Sequence, residues 1–179
     1  MDPSFESAIR EFSDHLRFEK RYSMHTVRSY EDDLQQFHAY ILQQFGETTL
    51  TGISSPLIRS WLASLKDKEL SSRSIIRKIS SLKSFFKFSM RSCGLGKSPM
   101  VNISSPKAGK RLPMYVEQAD IQTLFDHVAF SDDWKGATER LAMQMLYQAG
   151  LRLAELINCK ENQVDFSNSS IKVLGKGNK

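Results

Sequence analysis

The stretch from Ser71 to Arg91 constrains this chain more than any other. At about 100° per residue, Ile75, Ile76, Ile79, Leu82, Phe86 and Met90 fall on one side of a helix. Arg73, Arg77, Lys87 and Arg91 fall on the other, with Ser80 and Ser84 among them, and Lys78 and Lys83 flank the stripe. The apolar side has to be covered by other elements, so the chain must supply packing partners around this helix. The basic side has no local counter-charge. Between Glu69 and Glu117 there are ten Lys and Arg and no Asp or Glu. The whole chain carries 25 basic and 20 acidic residues, so outside that window the balance is 15 against 20, and the formal net charge of +5 hides one concentrated basic segment. Surface helices ordinarily mix signs, because opposite charges three or four residues apart stabilise them. An unmixed face points to a polyanion. Arginine and lysine with small serines between them suit a DNA major groove, where Arg reads guanine edges and Lys neutralises phosphate. The alternative is a plain amphipathic helix with a solvated Lys/Arg surface.

Three helices precede this one. Phe5, Ala8, Ile9, Phe12 and Leu16 predict the first, over residues 4–18. Ser23 is an N-cap for the second, with its stripe at Val27, Tyr30, Leu34, Phe37 and Ile41 and its end near Phe45-Gly46. Arg28 and the run Glu31-Asp32-Asp33 are expected on its solvent side. After a polar connection from Thr48 to Ile53, Ser55 as N-cap and Pro56 at the first helical position start a third helix bearing Leu57, Ile58, Trp61, Leu62 and Leu65. Phe88 lies towards the polar side of the fourth helix and is expected to pack on a neighbouring domain rather than to contact nucleic acid.

From Ser92 to Pro113 the periodicity lapses, and glycines and prolines punctuate a segment carrying Lys97, Lys107, Lys110 and Arg111. It reads as a basic interdomain linker that would track a phosphate backbone. A second domain is expected from Met114. Ala119 to Val128 and Ala137 to Leu146 give helices, the latter stopped by Gly150, and Leu151 to Asn158 a short further one. Ser169 to Leu174 reads as a strand running into a Gly175-Lys176-Gly177-Asn178 turn, with no returning strand. A lone strand has nothing to share its ladder, and about 65 residues make a thin core, so the sequence is expected to be a truncated chain.

Composition removes several classes. Cys93 and Cys159 form no CxxC, the four histidines form no metal-ligand spacing, and no P-loop, GxGxxG, HExxH or GxSxG occurs. No metal or cofactor is expected, nor a membrane, and a soluble cytoplasmic protein is the expectation. Two residues stand out in the second half. Arg152 follows Gly150-Leu151 at a helix break, with Glu155 placed to pair with it, and Lys176 sits at the tip of the terminal turn. Taken alone, each reads as a surface side chain.

Several segments together resemble the Xer-type tyrosine recombinases of the phage integrase family. Arg21-Tyr22-Ser23 with Thr26-Val27, Tyr30, Asp33-Leu34 and Phe37 is similar to the start of that family's core-binding domain, and Arg77 to Phe86 to its fourth helix. Ser105-Pro106-Lys107 with Leu112-Pro113 looks like its linker. Leu146 to Leu156 is similar to its first catalytic-arginine box, and Val173 to Lys179 to its lysine hairpin. The resemblance implies a mainly α fold. Residues 1–91 would form a four-helix, SAM-like core-binding domain and residues 92–113 the linker. Residues 114–179 would form the incomplete start of an α+β catalytic domain. It implies site-specific DNA breaking and rejoining through a 3′-phosphotyrosyl intermediate in a full-length parent acting as a tetramer with itself or a paired recombinase. Arg152 would hold a non-bridging phosphate oxygen and Lys176 would protonate the leaving 5′-oxygen. The DNA contacts would come from Arg73, Arg77, Lys78, Ser80, Ser84, Lys87, Arg91, Lys107, Lys110 and Arg111. The family's HxxR box and nucleophilic tyrosine find no match. Tyr22, Tyr30, Tyr40, Tyr115 and Tyr147 all precede Arg152, so this chain by itself is expected to bind DNA without cleaving it. A naturally truncated, non-catalytic DNA-binding relative is the second reading, and a helical protein-interaction module the third.

Overall fold

Serine side chains start three of the helices. Ser4 accepts a hydrogen bond from the Ser7 amide, Ser23 from Thr26 and Ser71 from Ser74, which satisfies amide groups that a helix start leaves without partners. In this computed structural model, which describes residues 4–92, 94–109, 112, 114–173 and 175, the first two caps open α1 (Phe5–Asp14) and α2 (Met24–Phe45). The helix α3 (Ser55–Asp67) has Ser54 at its cap and a proline in its first turn, and α4 is Ser72–Ser92. A π-helical turn, His15–Glu19, prolongs α1 to the end that the apolar spacing predicts. Gly46 closes α2 at φ 76°, a left-handed conformation that costs glycine little.

The chain divides into two units, Met1–Arg111 and Leu112–Lys179. In the first, α4 packs against α1, α2 and α3. Phe85 is its pivot, with its ring 5.3 Å from Phe5, 5.6 Å from Phe12 and 5.2 Å from Phe86. Phe37 and Trp61, 5.1 Å apart and edge-on, join α2 to α3. The buried arc of α4 is turned relative to the expected stripe. Phe85, Ser81, Ser89 and Lys78 are inside, whereas Met90 is exposed and Ile76 only half-buried. Hydrophobic periodicity counts apolar side chains and so misses an arc that contains serines and a paired lysine.

Segment 94–103 also departs from an open linker. Leu95, Met100 and Ile103 join the core, Ser55 donates to the Pro99 carbonyl at 2.6 Å, and Arg59 donates to the Asn102 carbonyl at 3.3 Å. The first half of the expected linker therefore caps the helical unit.

The end of α3 is a Schellman turn. The Leu70 amide donates to the Leu65 carbonyl and the Glu69 amide to Lys66, with Glu69 at φ 57°. A left-handed glutamate at a helix C-terminus is costly in conformation and in charge. Glu69→Gly is expected to raise stability by about 0.5–1 kcal/mol, the relief of the left-handed penalty less the extra freedom glycine gives the unfolded chain. A thermal melt reads the change, and an unchanged or lower midpoint contradicts it.

The second unit holds α5 (Gln118–His127), α6 (Trp134–Gln148), α7 (Leu153–Ile157) and a two-stranded antiparallel sheet, β1 (Val164–Asp165) with β2 (Ser170–Ile171). This corrects the expectation of a lone strand. Val164 pairs with Ile171 and Asp165 with Ser170, across a turn in which the Asp165 carboxylate accepts from the Ser167 and Asn168 amides. A two-residue strand is too short to show alternation in a sequence. Among the described residues of this unit only Gly136 is buried. Trp134 and Phe166 are 86% and 85% exposed. The turn expected after Leu174 falls outside the described residues, apart from Gly175.

Candidate nucleic-acid interface

Arg73, Arg77, Ser80, Lys87 and Arg91 are exposed along one side of α4, with Ser84 half-buried among them and Lys83 exposed at the margin. From Arg73 to Arg91 the helix rises about 27 Å. Arg73, Lys83, Lys87 and Arg91 make no ion pair among the described residues; Arg77 does, with Asp33. The serines keep the surface low between the long side chains, and the Ser80 hydroxyl turns back onto the Ile76 carbonyl.

Lys78 does not belong to this face, a correction to its place among the expected DNA contacts. It is 3% exposed, and its ammonium donates to Asp33 Oδ1 at 2.9 Å and to Gln36 Oε1 at 2.6 Å, with Nζ 5.8 Å from the centre of the Trp61 ring. Asp33 is corrected with it. Expected in solvent, it is 1% exposed. Its other oxygen, Oδ2, accepts from Arg77 Nη1 at 2.6 Å and from the Ser81 hydroxyl at 2.8 Å. The Ser29 hydroxyl accepts from the same Nη1 at 2.8 Å. Every hydrogen bond of the Arg77 side chain to the described residues thus runs through Nη1, and the side chain remains 49% exposed. A signal for Asp33 exists in the sequence. On a helical wheel it lies about 40° from Phe37, on the border of the apolar stripe, whereas Asp32 lies well away from it.

At the other end of the helix, Phe88 packs within its own unit rather than on a neighbouring domain, 5.4 Å from Phe12 and 4.9 Å from His15. His15 Nδ1 is 2.8 Å from Glu19. Here Tyr22, Ser84, Lys87 and Arg91 border a cleft between the π-helical turn and α4.

Lys107 is exposed in the segment after Ile103, which has no regular secondary structure; Lys110 and Arg111 lie outside the described residues. In the second unit Arg152 precedes α7. Its amide donates to Glu155 Oε2 at 2.9 Å and its Nη1 to Oε1 at 2.6 Å, and its side chain is 70% exposed. The Arg152 amide first, and then its guanidinium, hold the Glu155 carboxyl below the usual range against the opposing effect of burial. Arg152, Asn158, Gln163, Val173 and Gly175 line a common cleft. Arg152 thus shares a cleft with the residue just before Lys176, which itself lies outside the described residues. No group of metal-ligating side chains occurs among the described residues, and none of the described helices is long and apolar enough to cross a membrane.

Residues 9–92 match the phage integrase N-terminal SAM-like domain. The tyrosine recombinase XerC of Staphylococcus saprophyticus is 35% identical over 164 residues, 92% of this chain and 54% of that protein. XerC of Staphylococcus aureus (strain USA300) is 34% identical over 168 residues, 94% and 55% of the two chains. The chain thus spans about half the length of these curated relatives. Among solved structures, the Tn1549 transposon integrase in complex with circular intermediate DNA is similar at a TM-score of 0.69 and 17% identity, covering 95% of this chain and 56% of that one. The XerH recombinase bound to a palindromic difH substrate is similar at 0.67 and 19%, covering 98% and 52%. At such identities the structural likeness concerns the fold.

Proposed function

This chain belongs to the tyrosine recombinases, with residues 9–92 as its phage integrase SAM-like domain, and from that premise we propose that it binds duplex DNA through the exposed side of α4. The observation that carries the reading is the row Arg73, Lys87 and Arg91, exposed on one helix face and without counter-charges among the described residues. Cations left unpaired along a straight rod suit a partner that brings evenly spaced negative charge. Lys107, Lys110 and Arg111 extend the basic character along the chain towards the second unit.

The recombination chemistry of a full-length protein of this kind is part of the same proposal, as are its cytoplasmic setting and its assembly with further copies or a paired recombinase. Arg152 is the phosphate-binding group in this reading. Glu155 occupies one nitrogen of its guanidinium, and Nε and Nη2 donate to nothing among the described residues. A forked, permanently charged donor held by a carboxylate can stabilise charge developing on a phosphoryl oxygen without reorganising. Lys176, next to the Arg152 cleft in sequence, is the proposed general acid.

Fluorescence anisotropy with a labelled mixed-sequence duplex tests the binding. Four phosphate contacts, from Arg73, Lys87, Arg91 and Lys107, predict a log–log salt slope of about −3 to −4. Absent binding, or affinity unchanged from low to moderate salt, contradicts the reading.

A further inference from the structure

We propose that Asp33, a buried carboxylate on α2, is a positioning residue that presents Arg77 to the nucleic acid. The inference rests on the reading of α4 as the DNA-binding helix.

A long arginine on an exposed helix face ordinarily samples many rotamers, and ordering it on binding costs free energy. Arg77 is tethered in advance. Its Nη1 donates to Asp33 Oδ2 at 2.6 Å and to the Ser29 hydroxyl at 2.8 Å, which uses both hydrogens of that nitrogen. Nε and Nη2 donate to nothing among the described residues, and half of the side chain is exposed. These two nitrogens form the edge that makes side-on bidentate contact with a phosphate, or with the O6 and N7 of guanine.

Asp33 is itself buried and fully bonded. Lys78 holds its other oxygen, Ser81 donates to the same oxygen as Arg77, and the carboxylate is 1% exposed. The tether thus passes from the packed interior of α2 and α4 to one exposed guanidinium. Arginine suits the position better than lysine. A lysine ammonium has three hydrogens on one nitrogen, so with Asp33 and Ser29 holding two of them it would offer a ligand a single donor and no bidentate edge.

A double-mutant cycle tests this on the full chain. The variants are Asp33→Asn, Arg77→Ala and their combination, titrated by anisotropy against a duplex that the wild-type chain selects from a random-sequence pool. Because Asp33→Asn also deprives buried Lys78 of its counter-charge, the cycle is run in a Lys78→Met background, where that penalty is gone, with circular dichroism checking the fold. Asp33→Asn is expected to weaken binding about tenfold when Arg77 is present and less than twofold when it is alanine. Ser29→Ala, which removes the second tether and leaves the buried pair alone, is expected to weaken binding two- to threefold, and Arg77→Lys, which keeps the charge but not the bidentate edge, to bind more weakly than wild type. Equal losses from Asp33→Asn in both Arg77 backgrounds, with duplex binding intact, overturn the positioning role alone. A Lys78→Met parent that is folded and binds no duplex overturns the reading of α4 and this proposal with it.

Discussion

Asp33→Ala is expected to destabilise the helical unit by about 3–5 kcal/mol, the cost of leaving a buried charge without its partner. Asp33 is 1% and Lys78 3% exposed, so neither ion recovers solvent when the other is removed. In the wild type the carboxylate accepts from Lys78, Arg77 and Ser81, and the ammonium donates a second bond to Gln36. Among the described residues no buried side-chain nitrogen or oxygen lacks a partner, so truncation creates the first such defect. The cost belongs to the broken pair and not to the pair's net contribution. Replacing both ions, as Asp33→Leu with Lys78→Met, is expected to fall within about 1–2 kcal/mol of wild type, since well-packed apolar groups of similar volume serve as well as a buried ion pair. Urea unfolding of the two proteins measures the difference. A single variant that loses under 1 kcal/mol, or a double variant as unstable as the single, contradicts this account of the core.

The second large effect is on binding. The combined variant Arg73→Ala, Lys87→Ala and Arg91→Ala is expected to lose roughly 10²–10³-fold in duplex affinity near 0.1 M salt, with the salt slope reduced by about 3. These side chains are exposed and make no ion pairs among the described residues, so their loss leaves the core intact. Lys78→Met is the control from the same helix. Its side chain faces Asp33 and Trp61, and its removal is expected to leave the slope unchanged. A triple variant with wild-type slope contradicts the assignment of this face, as does a Lys78→Met protein whose slope falls by one.

These variants divide along the line between local and cross-helix information. The helices, their serine caps and the acid-free face depend on neighbours three or four residues away, and a sequence displays that spacing directly. Arg73, Lys87 and Arg91 lie where the wheel puts them. Lys78 and Asp33 do not, because each was assigned against its own helix. A lone lysine beside an apolar stripe is read as solvated. Its burial is decided by a carboxylate 45 positions away in the chain. Leu95, Met100 and Ile103 were hidden for a similar reason. Three apolar residues between glycines and prolines carry no period, and only the surface they cover on the helical unit gives them a role. In the second unit the sequence shows Glu155 placed to pair with Arg152, a local i,i+3 contact. The partner strand of Ser170–Ile171 emerges only from hydrogen bonding across the turn.

By itself, then, the sequence determined the four helices of the first unit, the Ser23 cap of the second, and that one side of α4 carries positive charge with no acid on its own helix. It also carried the pattern that led to the recombinase family. Tertiary structure alone decided which of those charges are available. Asp33 sits on α2 and the basic residues on α4, so their attraction exists only once the helices pack and water is removed. Burial then divides two consecutive residues, with Lys78 consumed by the core and Arg77 held at its edge. A helix repeats every 3.6 residues, and the sign of a charge can be read along it. The free energy of leaving water cannot, because it depends on which neighbour from elsewhere in the chain arrives to replace the solvent.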